Sequence, residues 1–428
     1  MRSIKDRLNT LYRQSETEAE KPTELEKSAI RRNLERMFDQ KDKIFAKTEI
    51  EKKEMQPLEG LVPGQWINTT FGDIFRAEFT YNLDELYGNL DMRQIFEISA
   101  SSIAENFKLE DMHKMESILF IDTETTGLAG GSGTVAFMIG LGWVEDNSFV
   151  VHQYFISQLN HEEGMLEYIA RFAENFTCLA SFNGKSYDVP LLNSRYIMNR
   201  LVPVFEDFDH IDLLHPSRAL WKYSLRDCKL KTLEAELMGL YRDGDIPGEL
   251  IPQVYFEYLE SGLVDRIEQV FFHNRFDIVT MLGVLLLIMQ SVQTVVPDRD
   301  PLKDYAKGRI FQKKKDIERS IQHFKNVLHS NITISRRIVT LLELAALYKK
   351  EKMFDKAVEL WRQTIEIDYS YSALVELAIY YEHFEKNGDK ALEMAQKAQA
   401  GLGGYKYKEQ AEIEKRINRL KRKVAKTK

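Results

Sequence analysis

Two acids spaced one residue apart close an apolar run, Ile118-Leu119-Phe120-Ile121-Asp122-Thr123-Glu124-Thr125-Thr126-Gly127. A short apolar run followed by turn residues reads as a buried strand. Side chains alternate along a strand, so Asp122 and Glu124 share one face. Adjacent carboxylates repel each other. A divalent cation between them resolves the conflict, because carboxylate oxygens suit Mg²⁺ and Mn²⁺. A solvated strand end is the plainer alternative. The strongly apolar strand and the glycine-rich turn after it favour the cation.

Two other stretches carry matching chemistry. Ser181-Phe182-Asn183-Gly184-Lys185-Ser186-Tyr187-Asp188 places an Asn-Gly turn after a strand and an acid at the start of the next helix. Asp188 is either a helix N-terminal charge or a third ligand. Phe272-His273-Asn274-Arg275-Phe276-Asp277 opens an apolar helix. His273 and Asp277 are four residues apart and lie on one helix face. A buried Asp without a partner is costly, and a shared ligand explains the pair better than packing does. Asn183 and Lys185 are candidates to face a phosphate, although turn geometry and solvation explain them equally well. Asp209 and Asp212 flank a short strand and read as structural or supporting. Arg226 and Lys231 are candidate contacts to a nucleic-acid backbone, or simply solvated.

These residues need a scaffold. At 428 residues the chain exceeds one ordinary core, and two or three domains are expected. A net charge of −7 gives no global case for nucleic-acid binding, so any basic surface is local. Cys178 and Cys228 sit in no Cys-x-x-Cys or Cys/His cluster, which leaves a disulfide framework and a zinc site unsupported. The N-terminus shows no apolar signal segment. The apolar stretch Ile278 to Met289 is too short to span a bilayer. A cytoplasmic protein with no membrane role is expected.

Residues 1–55 read as a charged helical arm. Residues 56–115 read as a small β-containing lead-in, with two short strands between Trp66 and Tyr81. Residues 116–292 alternate strands and helices, which predicts an α/β domain with a mixed sheet flanked by helices. Beyond Val296-Pro297 the period is purely helical. Gly308, Phe311, Ser320 and Phe324 recur as Ala345, Tyr348, Ala357 and Trp361, and again as Ala378, Tyr381, Ala391 and Ala395. Spacings of 37 and then 33–34 residues, with small and aromatic positions, resemble tetratricopeptide helix pairs, here over 302–404, with an unrelated helical bundle as the alternative. Residues 405–428 form a basic C-terminal helix or tail, with ten Lys and Arg against three Glu. That tail is a solvated end or a steering surface for nucleic acid.

Asp-x-Glu-Thr-Thr-Gly, then Asn-Gly-x-x-x-Asp, then His-x-x-x-Asp resembles the DEDD superfamily of 3′–5′ exonucleases, which have the ribonuclease-H-like fold. The resemblance covers residues 116–290. The stretch 126–134, Asp245-Ile246-Pro247-Gly248 and His273-Asn274-Arg275-Phe276-Asp277 look like the bacterial YprB-type branch, which tends to carry helical repeats after the nuclease domain. One departure concerns His273. Histidine-type members space the base His-x₄-Asp, and this chain has His-x₃-Asp, the tyrosine-type spacing. That bears on the role of His273 and not on the acids.

The resemblance implies phosphodiester hydrolysis with two ions, Mg²⁺ or Mn²⁺. Asp122 would bridge them, Glu124 and Asp277 would hold one, and Asp188 would hold the other. His273 would take a proton from the attacking water. It also implies DNA rather than RNA as substrate, DNA repair as the setting, and a protein partner for the repeats, with a helicase as the candidate. The competing expectations are a ribonuclease of the same mechanism and a catalytically silent scaffold that grips nucleic-acid ends.

Overall fold

A computed structural model describes residues 57–127, 133–262, 264–293, 296–402 and 407–427. The expected arm at 1–55 lies outside these residues, as do 128–132 of the glycine-rich turn.

The strands are β1 (Gly64–Thr69), β2 (Gly72–Asn82), β3 (Leu86–Tyr87), β4 (Leu90–Asp91), β5 (Ile118–Thr125), β6 (Ala136–Glu145), β7 (Ser148–Ile156), β8 (Cys178–Ser181) and β9 (Asp209–Asp212). Seven of them form one sheet in the order β1-β2-β7-β6-β5-β8-β9, and β3 and β4 make a separate small ribbon. Strands β5, β8 and β9 run parallel, and the remaining pairs in the large sheet are antiparallel. The sheet is therefore mixed, as the alternating pattern predicts.

One expectation is corrected. The two strands between Trp66 and Tyr81 are not a separate lead-in, because β2 pairs along its length with β7 and extends the main sheet. A period-2 pattern marks a strand but does not name its neighbour. Only long-range pairing joins residues 64–82 to 148–156.

Helices cover both faces of the sheet. They are α1 (Ala100–Phe107), α2 (Glu162–Ala173), α3 (Asp188–Met198), α4 (Leu214–Trp221), α5 (Ile251–Ser261) and α6 (Ile267–Gln293). Alternation along β5 divides the core in two. Leu119 and Ile121 pack with Leu166 of α2, Leu192 of α3 and Tyr255 of α5. Ile118 and Phe120 pack with Trp221 of α4 and with Ile278, Leu282 and Leu285 of α6. Asp122 and Glu124 continue the parity of Ile118 and Phe120, so the strand aims them at the α6 face. By length and composition α6 would pass for a membrane span. It is instead the core helix of this face, with 67% of its most apolar stretch buried.

The chain continues as α7 (Pro301–Lys313), α8 (Ile317–His329), α9 (Ile334–Lys350), α10 (Phe354–Ile367), α11 (Tyr371–His383), α12 (Gly388–Ala400) and α13 (Tyr407–Thr427). The three recurring residue sets fall on α7/α8, α9/α10 and α11/α12, and every one of those residues is buried. This all-helical region is docked on the sheet domain. Tyr223 and Tyr305 meet edge to face at 5.1 Å, Arg336 lies over Tyr305, and Lys314 Nζ donates to Asn106 Oδ1.

Candidate active site

Asp122 and Glu124 stand at the end of β5, past its last pairing with β8 at Phe120–Ala180. The carboxylates of Asp188 and Asp277 act electrostatically on both. Asp188 is the first residue of α3 and approaches from the opposite face of the sheet. Thr123 Oγ1 donates to Asp188 Oδ1 at 2.5 Å, which ties α3 to the strand between the two acids. Tyr187 secures the same junction, donating to the carbonyl of Gly127 at 2.9 Å.

Gathering acids where little water reaches raises their affinity for protons. Burial pushes Asp122 well above the usual carboxylate range, with the charges of Asp277 and Asp188 adding to it. Glu124 is pushed up in the same way, by burial and then by Asp122, Asp277 and Asp188. Asp188 rises to about 6 through burial, which the Thr123 hydroxyl partly opposes.

Asp277 and His273 lie on one face of α6, with His273 Nε2 3.6 Å from Asp277 Oδ2. Two residues outside the sequence-based set hold this pair. Asp245 Oδ1 sits 2.8 Å from His273 Nδ1. An Nδ1–H donated to Asp245 leaves Nε2 as the acceptor. Burial alone would lower the His273 pKa; the Asp245 hydrogen bond and the charges of Asp277 and Asp245 outweigh it and raise it. Arg242 Nη1 donates to Asp277 Oδ1 at 2.6 Å, and its Nε donates to Glu234 Oε2 at 2.5 Å. Glu234 in turn accepts from Tyr87 Oη and Thr280 Oγ1. It opens a π-helical turn, Glu234–Met238, a deviation often found at functional sites.

Sequence spacing gave no hint of Arg242, Glu234 or Gln153. Asp245 and Asn274 lay within quoted motifs but carried no role. These residues act through partners distant in the chain, and no local period marks them.

The other candidates separate clearly. Asp212 accepts from the amides of Asn183, Lys185 and Leu214, and so shapes the turn ahead of α3. Asp209 accepts from the amides of Glu110 and Asp111 and from His113. Both acids are structural. Asn183 has φ +74°, so the turn itself accounts for it. Lys185 is exposed. Lys231 reaches the site, with Nζ 3.4 Å from Asp245 Oδ2, whereas Arg226 is 81% exposed beside Asp227.

Among the described residues, no three acidic, histidine or cysteine side chains are already drawn into a ready cation shell. The fit to divalent cations lies in the donor set. Asp122 offers Oδ1, since Asn274 occupies Oδ2, and Asp188 offers Oδ2, since Thr123 occupies Oδ1. Asp277 offers Oδ2, with Arg242 on Oδ1. Hard oxygen donors of this kind match Mg²⁺ and Mn²⁺.

Residues 119–288 match the family model RNase_H_2, of the RNase_H superfamily. An uncharacterized protein YprB of Bacillus subtilis (strain 168) is 28% identical over 358 residues, covering 81% of this chain and 86% of that protein. Among solved structures, the family B DNA polymerase from the hyperthermophilic archaeon Pyrobaculum calidifontis aligns at TM-score 0.32 and 12% identity. The alignment covers 56% of this chain and only 30% of the polymerase chain. The sheet order, the helices on both faces and the superfamily match agree, and the segment around β5–α6 is a ribonuclease-H-like domain, a fold whose members are typically nucleases.

Proposed function

We propose that this protein is a divalent-metal-dependent 3′–5′ exonuclease, acting on DNA in preference to RNA. The observation that carries the reading is the meeting of β5 and α6. Asp122 and Glu124 face the helix that bears His273 and Asp277, and Asp188 is tied in through Thr123. When bound, two ions of Mg²⁺ or Mn²⁺ would supply Lewis acidity for activating water and a sink for charge on the leaving 3′-oxygen. Asp122, Glu124, Asp188 and Asp277 would hold them. His273 would accept the water's proton at Nε2, with Asp245 keeping Nδ1 occupied. Lys231, beside Asp245 and 62% exposed, would meet a substrate phosphate.

The 3′–5′ polarity, the preference for DNA and a setting in DNA repair rest on the motif resemblance. So does the tetratricopeptide character of α7–α12, whose role would be to recruit a protein partner, with a helicase as the candidate.

End-labelled single- and double-stranded DNA and RNA, incubated with Mg²⁺ or Mn²⁺, test this reading. Stepwise loss from 3′ ends is expected, falling by orders of magnitude in Asp122→Ala because the acids act as a unit. Degradation of RNA alone would reassign the substrate. Binding without cleavage of any substrate would replace the enzyme with an end-binding scaffold.

A further inference from the structure

Asp122 on β5, Gly140 on β6 and Gln153 on β7 stand in register across adjacent strands, on the face that α6 covers. Asn274 of α6 fills the space above Gly140, where an added Cβ would lie 2.2 Å from Asn274 Oδ1. Its amide joins the two outer residues. Gln153 Nε2 donates to Asn274 Oδ1 at 2.8 Å, and Asn274 Nδ2 donates to Asp122 Oδ2 at 2.8 Å. Gln153 and Asn274 are both 0% exposed.

The main chain fixes the direction of this relay. Gln153 Nε2 also lies 2.8 Å from the carbonyl oxygen of Phe271. A carbonyl only accepts, so the Gln153 atom there must be the amide nitrogen. Its second proton then points at Asn274, whose facing atom must be oxygen. The nitrogen of Asn274 is left for Asp122 and can only donate. Stability does not explain the arrangement. Two buried amides are costly unless fully paired, and Gln153 Oε1 is buried without a partner among the described residues.

We propose that Asn274, oriented by Gln153 and given room by Gly140, is the positioning residue of Asp122. It fixes Oδ2 and leaves Oδ1 as the oxygen offered to a divalent cation. This inference rests on the metal-dependent reading above.

The test uses the full chain and Mn²⁺ as probe, with free ion followed by electron paramagnetic resonance. Asn274→Leu, which keeps the branching and number of side-chain heavy atoms of Asn, removes the donor. Gln153→Met removes its orienting partner without touching Asp122. Gly140→Ala presses on Asn274 and on Ile278 while deleting no hydrogen-bonding group. Thermal melting without metal identifies the variants that fold. In those, Mn²⁺ affinity is expected to fall about ten- to a hundredfold, with kcat falling and KM for the oligonucleotide held. Unchanged Mn²⁺ affinity and kcat in folded variants would overturn the proposal. Failure of the wild type itself to bind Mn²⁺ would sink the metal reading instead. Metal-free crystal structures of wild type and Asn274→Leu would then judge the relay: a displaced Asp122 carboxylate supports it, and an unmoved one overturns it.

Discussion

Arg242 is the buried cation among the acids, its side chain 2% exposed between Glu234 at 1% and Asp277 at 20%. A buried ion pair adds little net stability, but removing one partner strands the other. Arg242→Met should therefore destabilise the fold by about 3–5 kcal/mol in urea denaturation. Adding Glu234→Met should restore much of this, because the Tyr87 and Thr280 hydroxyls, whose oxygens lie 3.0 Å apart, can then hydrogen-bond each other. If the double variant proves no more stable than the single, the ion-pair account fails. His152 governs a different response. Burial lowers its pKa to about 4, against the pull of Glu78. The unfolded chain, with a histidine pKa near 6.5, then binds more protons than the native one between about pH 6.5 and 4. Its contribution to stability is complete above that window and is lost as pH falls through it. His210, also lowered to about 4 by burial and Lys185, acts in the same direction. At pH 5 the His152 share is roughly 1–2 kcal/mol. Comparing urea midpoints at pH 7 and 5 should show a shallower loss in His152→Phe than in wild type, and an equal loss would rule this source out.

Elements meet where small residues let them. In the helical region, Gly308 of α7 packs under Phe324 of α8, and a Cβ there would lie 2.7 Å from the ring. Gly308→Ala should cost about 1–3 kcal/mol by overpacking, despite the better helix propensity of alanine. Calorimetry should register this as a lowered melting temperature, with Mn²⁺ binding unchanged; a stabilised variant would show that α8 yields easily. Such close approaches explain what the sequence disclosed and what it withheld. The strand character of residues 118–125 was legible because four apolar residues lead into the acids, and parity alone put Asp122 and Glu124 on one face. The shared face of His273 and Asp277 followed from helical spacing. The attachment of β1 and β2 to β7 did not, because a strand's hydrogen-bonding edge accepts any partner. Arg242 and Asp245 were hidden for a related reason: their meaning lies in contacts with Asp277 and His273 about thirty residues away, and nothing local fixes that distance.

Across the whole molecule, charge is unevenly divided. The chain carries −7 overall, yet residues 415–427 of α13 hold seven Lys and Arg and no acid. Ile413, Ile417 and Leu420 anchor that helix in the core of the helical region, which turns Lys415, Arg419, Lys421, Arg422 and Lys423 outward. Glu382 collects Arg416, Arg419 and Lys423. Lys415 and Arg422 line an open groove with Asn418, and seven residues, about two helical turns, separate them. Favourable interaction with the helix C-terminal dipole explains basic residues in the last turn, but it decays before Lys415. A nucleic-acid backbone crossing this face would release counterions for each phosphate met, so its affinity should fall steeply with salt. Replacing Lys415 and Arg422 by Gln should lower the slope of log affinity against log salt by about 0.7–0.9 per residue. The rate at saturating substrate should hold, since neither residue belongs to the Asp122 site. Fluorescence anisotropy with single-stranded DNA over a salt series measures the slope directly. A slope identical to wild type would make α13 a solvated cap on the helical stack and leave substrate capture to the surface around Lys231. A reduced slope with an unchanged saturated rate would instead divide the labour, with the helical region gathering the substrate and the ribonuclease-H-like domain acting on it.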